Sequence, residues 1–195
     1  LYPEGTSNYI MNIVAIDDIN NDGIMEACTG AKDGYLRCFN AVNGTEVWNY
    51  SIGSMAGMDT HIADLYNNSE KQVIQANRSG FVAIINGSTG TQIWNYTALL
   101  TGWMYSTHTP YNFVGDEELE ILFQSTGGLY MVYNNGTSIW NYSYAGTVID
   151  GNGGGIVIGD IDNDGEEEII LSASNDTAII NFNGTVEREG LSFPM

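Results

Sequence analysis

The sequence predicts an all-β protein, a four-bladed β-propeller with four antiparallel strands in each blade. Three observations predict it. The phrase Gly-Thr-x-x-Trp-Asn-Tyr occurs at Gly44 to Tyr50, Gly90 to Tyr96 and Gly136 to Tyr142, spaced by 46 residues both times. A fourth copy opens at Gly184-Thr185 and carries Arg188 in the place of Trp. A second marker keeps step with the first, since Glu26, Gln72, Glu120 and Glu168 each stand eight residues before Gly34, Gly80, Gly128 and Asp176. Between the markers lie short apolar runs bounded by Gly, Asn and Asp, which is strand and turn grammar without helical periodicity. A whole repeat present four times is the mark of a blade array with an atypical terminal copy.

The chain divides into one propeller domain, 1–195, with blades near 1–53, 54–99, 100–146 and 147–195. In the first copy the strands fall near residues 11–17, 24–30, 35–41 and 45–51. The second strand, Ala27-Cys28-Thr29 and its counterparts, is apolar on both faces. Such a sheet must be covered on both sides, as happens when blades stack face to face around an axis. In the fourth strand, Trp48, Trp94 and Trp140 stand two residues before a Tyr, so each pair shares a face and can wedge into a neighbouring blade. The intervening Asn49, Asn95 and Asn141 point the other way, toward solvent.

The stretch from Asp33-Gly34-Tyr35 to Asn43-Gly44-Thr45-Glu46-Val47-Trp48 resembles the quinoprotein-like (PQQ-like) β-propeller repeat, with its Asp-Gly turn, its glycine-threonine turn and its docking Trp. The resemblance covers the whole chain in four units and implies the fold. Fold alone does not imply chemistry. The quinone-dependent dehydrogenases that carry such repeats use a larger propeller with a dedicated cofactor chamber, so no PQQ is expected here.

Two loops carry the clearest chemistry, Asp18-Ile19-Asn20-Asn21-Asp22-Gly23-Ile24-Met25-Glu26 and Asp160-Ile161-Asp162-Asn163-Asp164-Gly165-Glu166-Glu167-Glu168. Calcium takes six to eight oxygen ligands at about 2.3–2.6 Å, and alternate residues of a tight loop converge several of them on one point. Side chains of Asp18, Asn20, Asp22 and Glu26, and of Asp160, Asp162, Asp164 and Glu168, are the expected ligands. Ile24 and Glu166 contribute backbone carbonyls. The loops look like those of FG-GAP and integrin-type propeller blades, which close at the ninth position, and unlike an EF-hand, which closes at the twelfth. The alternative is an acidic turn without metal. The corresponding stretches Asp64 to Gln72 and Asn112 to Glu120 lack a ligand at the third position, so two calcium sites are expected rather than four.

Ten Asn-x-Ser/Thr sequons point to export; Asn43, Asn49, Asn86, Asn95, Asn135, Asn141 and Asn183 are the expected glycan acceptors, and the sequons at Asn67, Asn77 and Asn175 complete the ten without being expected sites. The start at Leu1 suits a mature form or an excised segment equally. A formal net charge of -19 excludes nucleic acid and anionic membrane surfaces as partners, and makes cations natural ones. The apolar runs are far shorter than the roughly 20 residues that span a bilayer. Cys28 and Cys38 lie symmetrically about the turn at Lys32-Asp33-Gly34, which places them opposite each other in a hairpin. They form a disulfide or a pair of small buried hydrophobes, since the equivalent places hold Ile74 with Ile84, Leu122 with Val132, and Ile170 with Ile180. His61 and His108 fall in innermost strands, where alternation sends them to opposite faces and ordinary packing is the reading favoured over a shared site.

No paired carboxylates are left over in an apolar setting, and neither a Gly-x-Ser-x-Gly elbow nor a phosphate-cradling glycine loop is present, so the chain is not expected to be an enzyme. Two functions remain. One is a structural, self-assembling module of an extracellular filament, lattice or surface coat, whose partners are copies of itself. The other is a receptor or adhesion module for a glycan or protein ligand. The repeats fill the whole sequence, which favours the structural reading, and the apolar tails at 1–3 and 191–195 either dock on a neighbour or close the ring by packing on blade 1 or 4.

Overall fold

The computed structural model describes residues 13–98, 109–125, 127–143, 155–172 and 177–188. They form sixteen strands in four antiparallel sheets, each with its strands in sequence order. Blade 1 contains β1 (Ala15–Asp17), β2 (Glu26–Gly30), β3 (Tyr35–Asn40) and β4 (Glu46–Ser51). Blade 2 contains β5 (Ala56–Ala63), β6 (Gln72–Asn77), β7 (Phe81–Asn86) and β8 (Gln92–Thr97). Blade 3 contains β9 (Thr109–Tyr111), β10 (Glu120–Ser125), β11 (Gly128–Val132) and β12 (Ser138–Ser143). Blade 4 contains β13 (Ile156–Gly159), β14 (Glu168–Ser172), β15 (Thr177–Asn181) and β16 (Val186–Arg188). The architecture is the expected all-β, four-bladed propeller. Among the described residues no helix is long and apolar enough to cross a membrane.

The core lies between blades. All six residues of β6 and all six of β10 are buried, so both faces of these strands are covered. Each blade has a leading face toward the preceding blade and a trailing face toward the next, and strand register assigns the rows. Trailing rows are Cys28–Cys38–Trp48, Ile74–Ile84–Trp94, Leu122–Met131–Trp140 and Val157–Ile170–Ile179–Arg188. Leading rows are Ile16–Ala27–Phe39, Ile62–Val73–Ile85, Ile121–Val132 and Ile158–Ile169–Ile180. Trailing rows of blades 1, 2 and 3 meet the leading rows of blades 2, 3 and 4 in three apolar clusters.

Cys28 and Cys38 are paired across the β2–β3 hairpin and joined in a disulfide, with Cα atoms 4.1 Å apart. The expected equivalents need correction in two blades. Leu122 faces Met131, not Val132, and Ile170 faces Ile179, not Ile180. The connection between β10 and β11 is tighter than that between β2 and β3, with Ser125 paired to Gly128 where Gly30 pairs to Leu36, so the opposing residue moves by one. A one-residue change of register exchanges faces, so Val132 joins the leading row of blade 3. In all four blades the ladder into the outermost strand shifts just before the Trp position, a β-bulge that sets Trp48, Trp94 and Trp140 on the trailing face.

Each indole reaches the following blade. Trp48 Nε1 donates to the Gly87 carbonyl at 2.7 Å, and Trp140 Nε1 to the Phe182 carbonyl at 2.8 Å. At the middle interface a hydroxyl intervenes, since Trp94 Nε1 donates to Tyr66 Oη at 3.2 Å and Tyr66 Oη donates to the Asn134 carbonyl at 3.1 Å. The rings lie on Gly90, Gly136 and Gly184, where an added Cβ would come within 2.6, 2.9 and 2.8 Å of them. The apolar tails, His108, Asn175 and Asp176 lie outside the described residues.

Candidate metal centres

The Asp18–Glu26 loop is built by its own carboxylates. Asp18 accepts from the Asp22 amide at 3.1 Å and from the Gly23 amide at 2.8 Å, Asn20 Oδ1 from the Asp22 amide at 3.0 Å, and Asp22 Oδ1 from the Ile24 amide at 2.8 Å. Positive φ at Asn21 (60°) and Gly23 (85°) gives the turn its curl. The loop from Asp160 to Glu168 repeats these bonds, with Asp160 accepting from Asp164 and Gly165, Asp162 from Asp164, and Asp164 from Glu166. Asn163 (63°) and Gly165 (92°) repeat the positive φ values.

The ninth position closes the loop from inside the blade. Glu26 is fully buried at the start of β2, and its Oε2 accepts from the Ile19 amide at 3.3 Å. Its Oε1 is buried with no hydrogen-bond partner. Burial pushes the Glu26 carboxyl above its usual range, the Ile19 bond opposes this, and the charges of Asp22 and Asp18 add to the rise. An orphan carboxylate oxygen beside two further carboxylates is an arrangement that a divalent cation satisfies. In blade 4, carboxylate oxygens of Asp160, Asp162 and Glu168 all lie within 4.8 Å of one another, and Glu168 Oε2 accepts from the Ile161 amide at 2.9 Å. The donor set of the blade 4 loop fits calcium; in blade 1 the carboxylates of Asp18, Asp22 and Glu26 do not gather within that distance, and the unpartnered Glu26 Oε1 is what points to a cation.

Blade 2 keeps the loop and replaces the charge. Asp64 accepts from the Asn68 and Ser69 amides at 3.0 and 2.7 Å, and Gln72 Oε1 from the Leu65 amide at 2.7 Å. Gln72 Nε2 donates to the Glu70 carbonyl at 2.9 Å. That carbonyl occupies the seventh position of the loop, the place of Ile24 and Glu166 in blades 1 and 4. An amide N–H thus does in blade 2 what a cation would do in its neighbours. Blade 3 departs further: Glu120, raised by burial, holds the amides of Phe113 and Val114 at 2.8 and 3.2 Å, while Glu118 is engaged by Asn134 Nδ2 at 2.5 Å.

No family model matches the sequence, and no curated protein sequence matches it. Solved structures do match. BamB from Moraxella catarrhalis superposes with a TM-score of 0.62 at 17 % identity, over 92 % of this chain and 52 % of that one. BBS1N in complex with ARL6DN gives 0.65 at 9 % identity over 93 % and 56 %. Quinohemoprotein alcohol dehydrogenase ADHIIG from Pseudomonas putida HK5 gives 0.58 at 14 % identity over 90 % and 35 %. The chain shares the β-propeller fold of these structures. It spans about half the length of the first two of these chains and about a third of the last, and likeness at this identity is one of fold alone.

Of the remaining expected positions, Asn49, Asn95 and Asn141 are exposed on the outermost strands, as are Asn43, Asn135 and Asn183 in turns, while Asn86 is half-buried. Asn77 is buried, and its Nδ2 donates to the Ile52 carbonyl at 2.6 Å. His61 pairs with Ile74 in register and is held below the usual imidazole range by burial. The acceptor carbonyls of Gly87 and Phe182, the inserted Tyr66 hydroxyl and the bond from Gln72 Nε2 to the Glu70 carbonyl were not predicted from the sequence. A register alignment of Gln72 against Glu26 and Glu168 was the available signal for the last.

Proposed function

We propose that the protein is a non-catalytic, calcium-stabilised structural propeller of an extracellular assembly, with copies of itself as partners. The observation that carries the reading is the buried Glu26 Oε1, unpartnered beside Asp18 and Asp22 in a loop whose blade 4 counterpart gathers three carboxylates within 4.8 Å. Calcium in each loop would be held by the carboxylates, the Asn20 amide oxygen in blade 1, and the carbonyls of Ile24 and Glu166. It would supply charge neutralisation and fix the inner-strand connections of blades 1 and 4. The disulfide and the exposed sequons support an exported, glycosylated protein. The carboxylates of Asp18, Asp22, Asp160 and Asp164 are engaged by backbone amides of their own loops, which supports a structural rather than a catalytic use of them.

Titration calorimetry with calcium, followed by melting in calcium and in chelator, tests this reading. Two equivalents bound and a lower melting temperature in chelator are expected. No heat of binding, with melting unchanged by chelator, sinks it.

One observation favours the receptor reading. A cleft of about 400 Å³ between blades 3 and 4 is lined by Tyr111, Phe113 and Phe182 beside Glu166 and Glu167 of the second calcium loop. Aromatic faces next to carboxylates suit a sugar ring, and saturation-transfer NMR with neutral oligosaccharides, read against a Tyr111→Ala variant, tests it.

A further inference from the structure

We propose that the leading face of blade 1 is a docking seat for the trailing face of blade 4 of a second copy of this chain. This names the surface for the self-assembly proposed above and rests on that part of the reading, not on the calcium part.

The seat is recognised by comparison with three occupied ones. Gly90, Gly136 and Gly184, all at positive φ, lie against the Trp of the preceding blade. Gly44 has the same turn, with φ +74° and its amide donating to the Asn40 carbonyl, yet among the described residues nothing lies within 4 Å of its Cβ position. The carbonyl equivalent to the acceptors at Gly87 and Phe182 is that of Ala41. The rows on either side tell the same story. In blades 2, 3 and 4 the leading residues Val73 and Ile85, Ile121 and Val132, and Ile169 and Ile180 are all 0 % exposed. In blade 1, Ala27 and Phe39 are half-buried and Ile16 is 63 % exposed.

The trailing face of blade 4 is the matching half. Val157 is 60 % exposed and Ile170 half-buried, where Ile74 and Leu122 at the equivalent place of Ile170 are fully buried. None of the three apolar clusters of the described residues joins blade 4 to blade 1. Two unfinished halves of one repeated joint, on complementary faces of blades 1 and 4, complete each other between copies in a heterologous contact. Arg188 stands in the Trp register with its side chain 66 % exposed. Its planar guanidinium can lie on the Gly44 turn and donate to the Ala41 carbonyl, as the indoles do elsewhere. Continuity with three existing joints therefore selects a second copy as the occupant, and burial of Ile16, Phe39, Val157 and Ile170 drives it.

Sedimentation velocity of the full chain over a concentration series, in calcium and in chelator, tests the joint. The expected result is concentration-dependent assembly beyond 21.2 kDa. Ile16→Lys and Val157→Lys, both at positions exposed in the single chain and so harmless to its fold, should each weaken assembly at least tenfold. Arg188→Trp should tighten it. A chain that stays monomeric at its highest soluble concentration overturns the proposal, as does assembly that neither lysine variant weakens. So does an Arg188→Trp variant that melts higher while remaining monomeric, because blade 4 then closes on blade 1 of its own chain. Assembly that survives in a protein showing no calcium response leaves the joint standing and removes only the metal reading.

Discussion

Trp48 Nε1 donates to the Gly87 carbonyl at 2.7 Å while its ring covers Gly90, so one side chain both satisfies a buried acceptor in blade 2 and fills the space over its turn. Truncation to Ala should therefore cost about 3–5 kcal/mol, the range for large buried aromatics. Trp48→Phe keeps much of the ring and loses the donor, leaving the Gly87 carbonyl unpaired at a cost of about 1–3 kcal/mol. Gly90→Ala should also destabilise, since the new methyl would stand 2.6 Å from the indole on a backbone at φ +68°. Denaturant titration orders these, and a Trp48→Phe variant as unstable as Trp48→Ala would show that the hydrogen bond outweighs the packing.

Asp33 holds Arg37 through two bonds, at 2.7 and 3.1 Å, and also accepts from the Tyr35 amide at 3.1 Å. The Arg37 guanidinium keeps the Asp33 carboxyl below the usual 3.8, partly opposed by burial. A folded-state value below the unfolded one contributes stability that is present above the unfolded value and lost as pH falls through the folded one. Asp33→Asn should lower the melting temperature near neutral pH by about 2–4 °C, as expected for roughly 1 kcal/mol in a chain of this size. The gap should begin to narrow below pH 3.8 and close once the pH has fallen through the lower folded value, where the pair in the parent protein is also lost. Melting curves across acid pH that keep a constant gap would assign the effect to the turn rather than to the ion pair.

Asn49, Asn95 and Asn141 share one place on the outermost strands and are exposed, whereas Asn77 is buried with its amide donated to the Ile52 carbonyl at 2.6 Å. Expression in a glycosylating, secreting host should modify the first three and leave Asn77 bare. Peptide mass spectrometry decides it, and a glycan at Asn77 would mean that the hairpin of blade 2 is open when the transferase acts.

The blade count, the docking face of each Trp and the outward direction of each Asn were legible because the repeat returns every 46 residues and a strand alternates with period two. The hairpin registers of blades 3 and 4 were not. Turn length decides which residue faces Leu122, and Gly127-Gly128 gives no visible count of how many residues the turn consumes. The bulge before each Trp was hidden for the same reason, since an extra residue in one strand leaves no compositional trace. The acidic residues at alternate positions of the two loops were readable, but the bond by which the ninth residue of blade 2 meets the carbonyl two positions earlier was not. Only the folded loop brings Gln72 Nε2 to the Glu70 carbonyl.

That last contact gives a reciprocal experiment. In blade 2, Gln72 uses its oxygen on the Leu65 amide and its nitrogen on the Glu70 carbonyl, so both ends are satisfied without metal. In blade 1, Glu26 uses Oε2 on the Ile19 amide and leaves Oε1 buried and unpartnered. Glu26→Gln should let the new amide donate to the Ile24 carbonyl as Gln72 does to that of Glu70, raising stability in chelator by about 1–3 kcal/mol, the cost of an unsatisfied buried polar atom. In calcium the same variant should lose one of two binding equivalents and the stabilisation that goes with it, about 2.7 kcal/mol at a hundredfold excess over Kd. The sign of the effect thus reverses with calcium, which a general packing defect cannot do. Gln72→Glu should show the opposite pattern in chelator, losing stability because a carboxylate oxygen then faces the Glu70 carbonyl with no proton between them. Calorimetric melting of both variants, with and without calcium, measures all four values. A Glu26→Gln variant less stable than the parent in chelator and unchanged in calcium binding would remove the ninth residue from the metal centre.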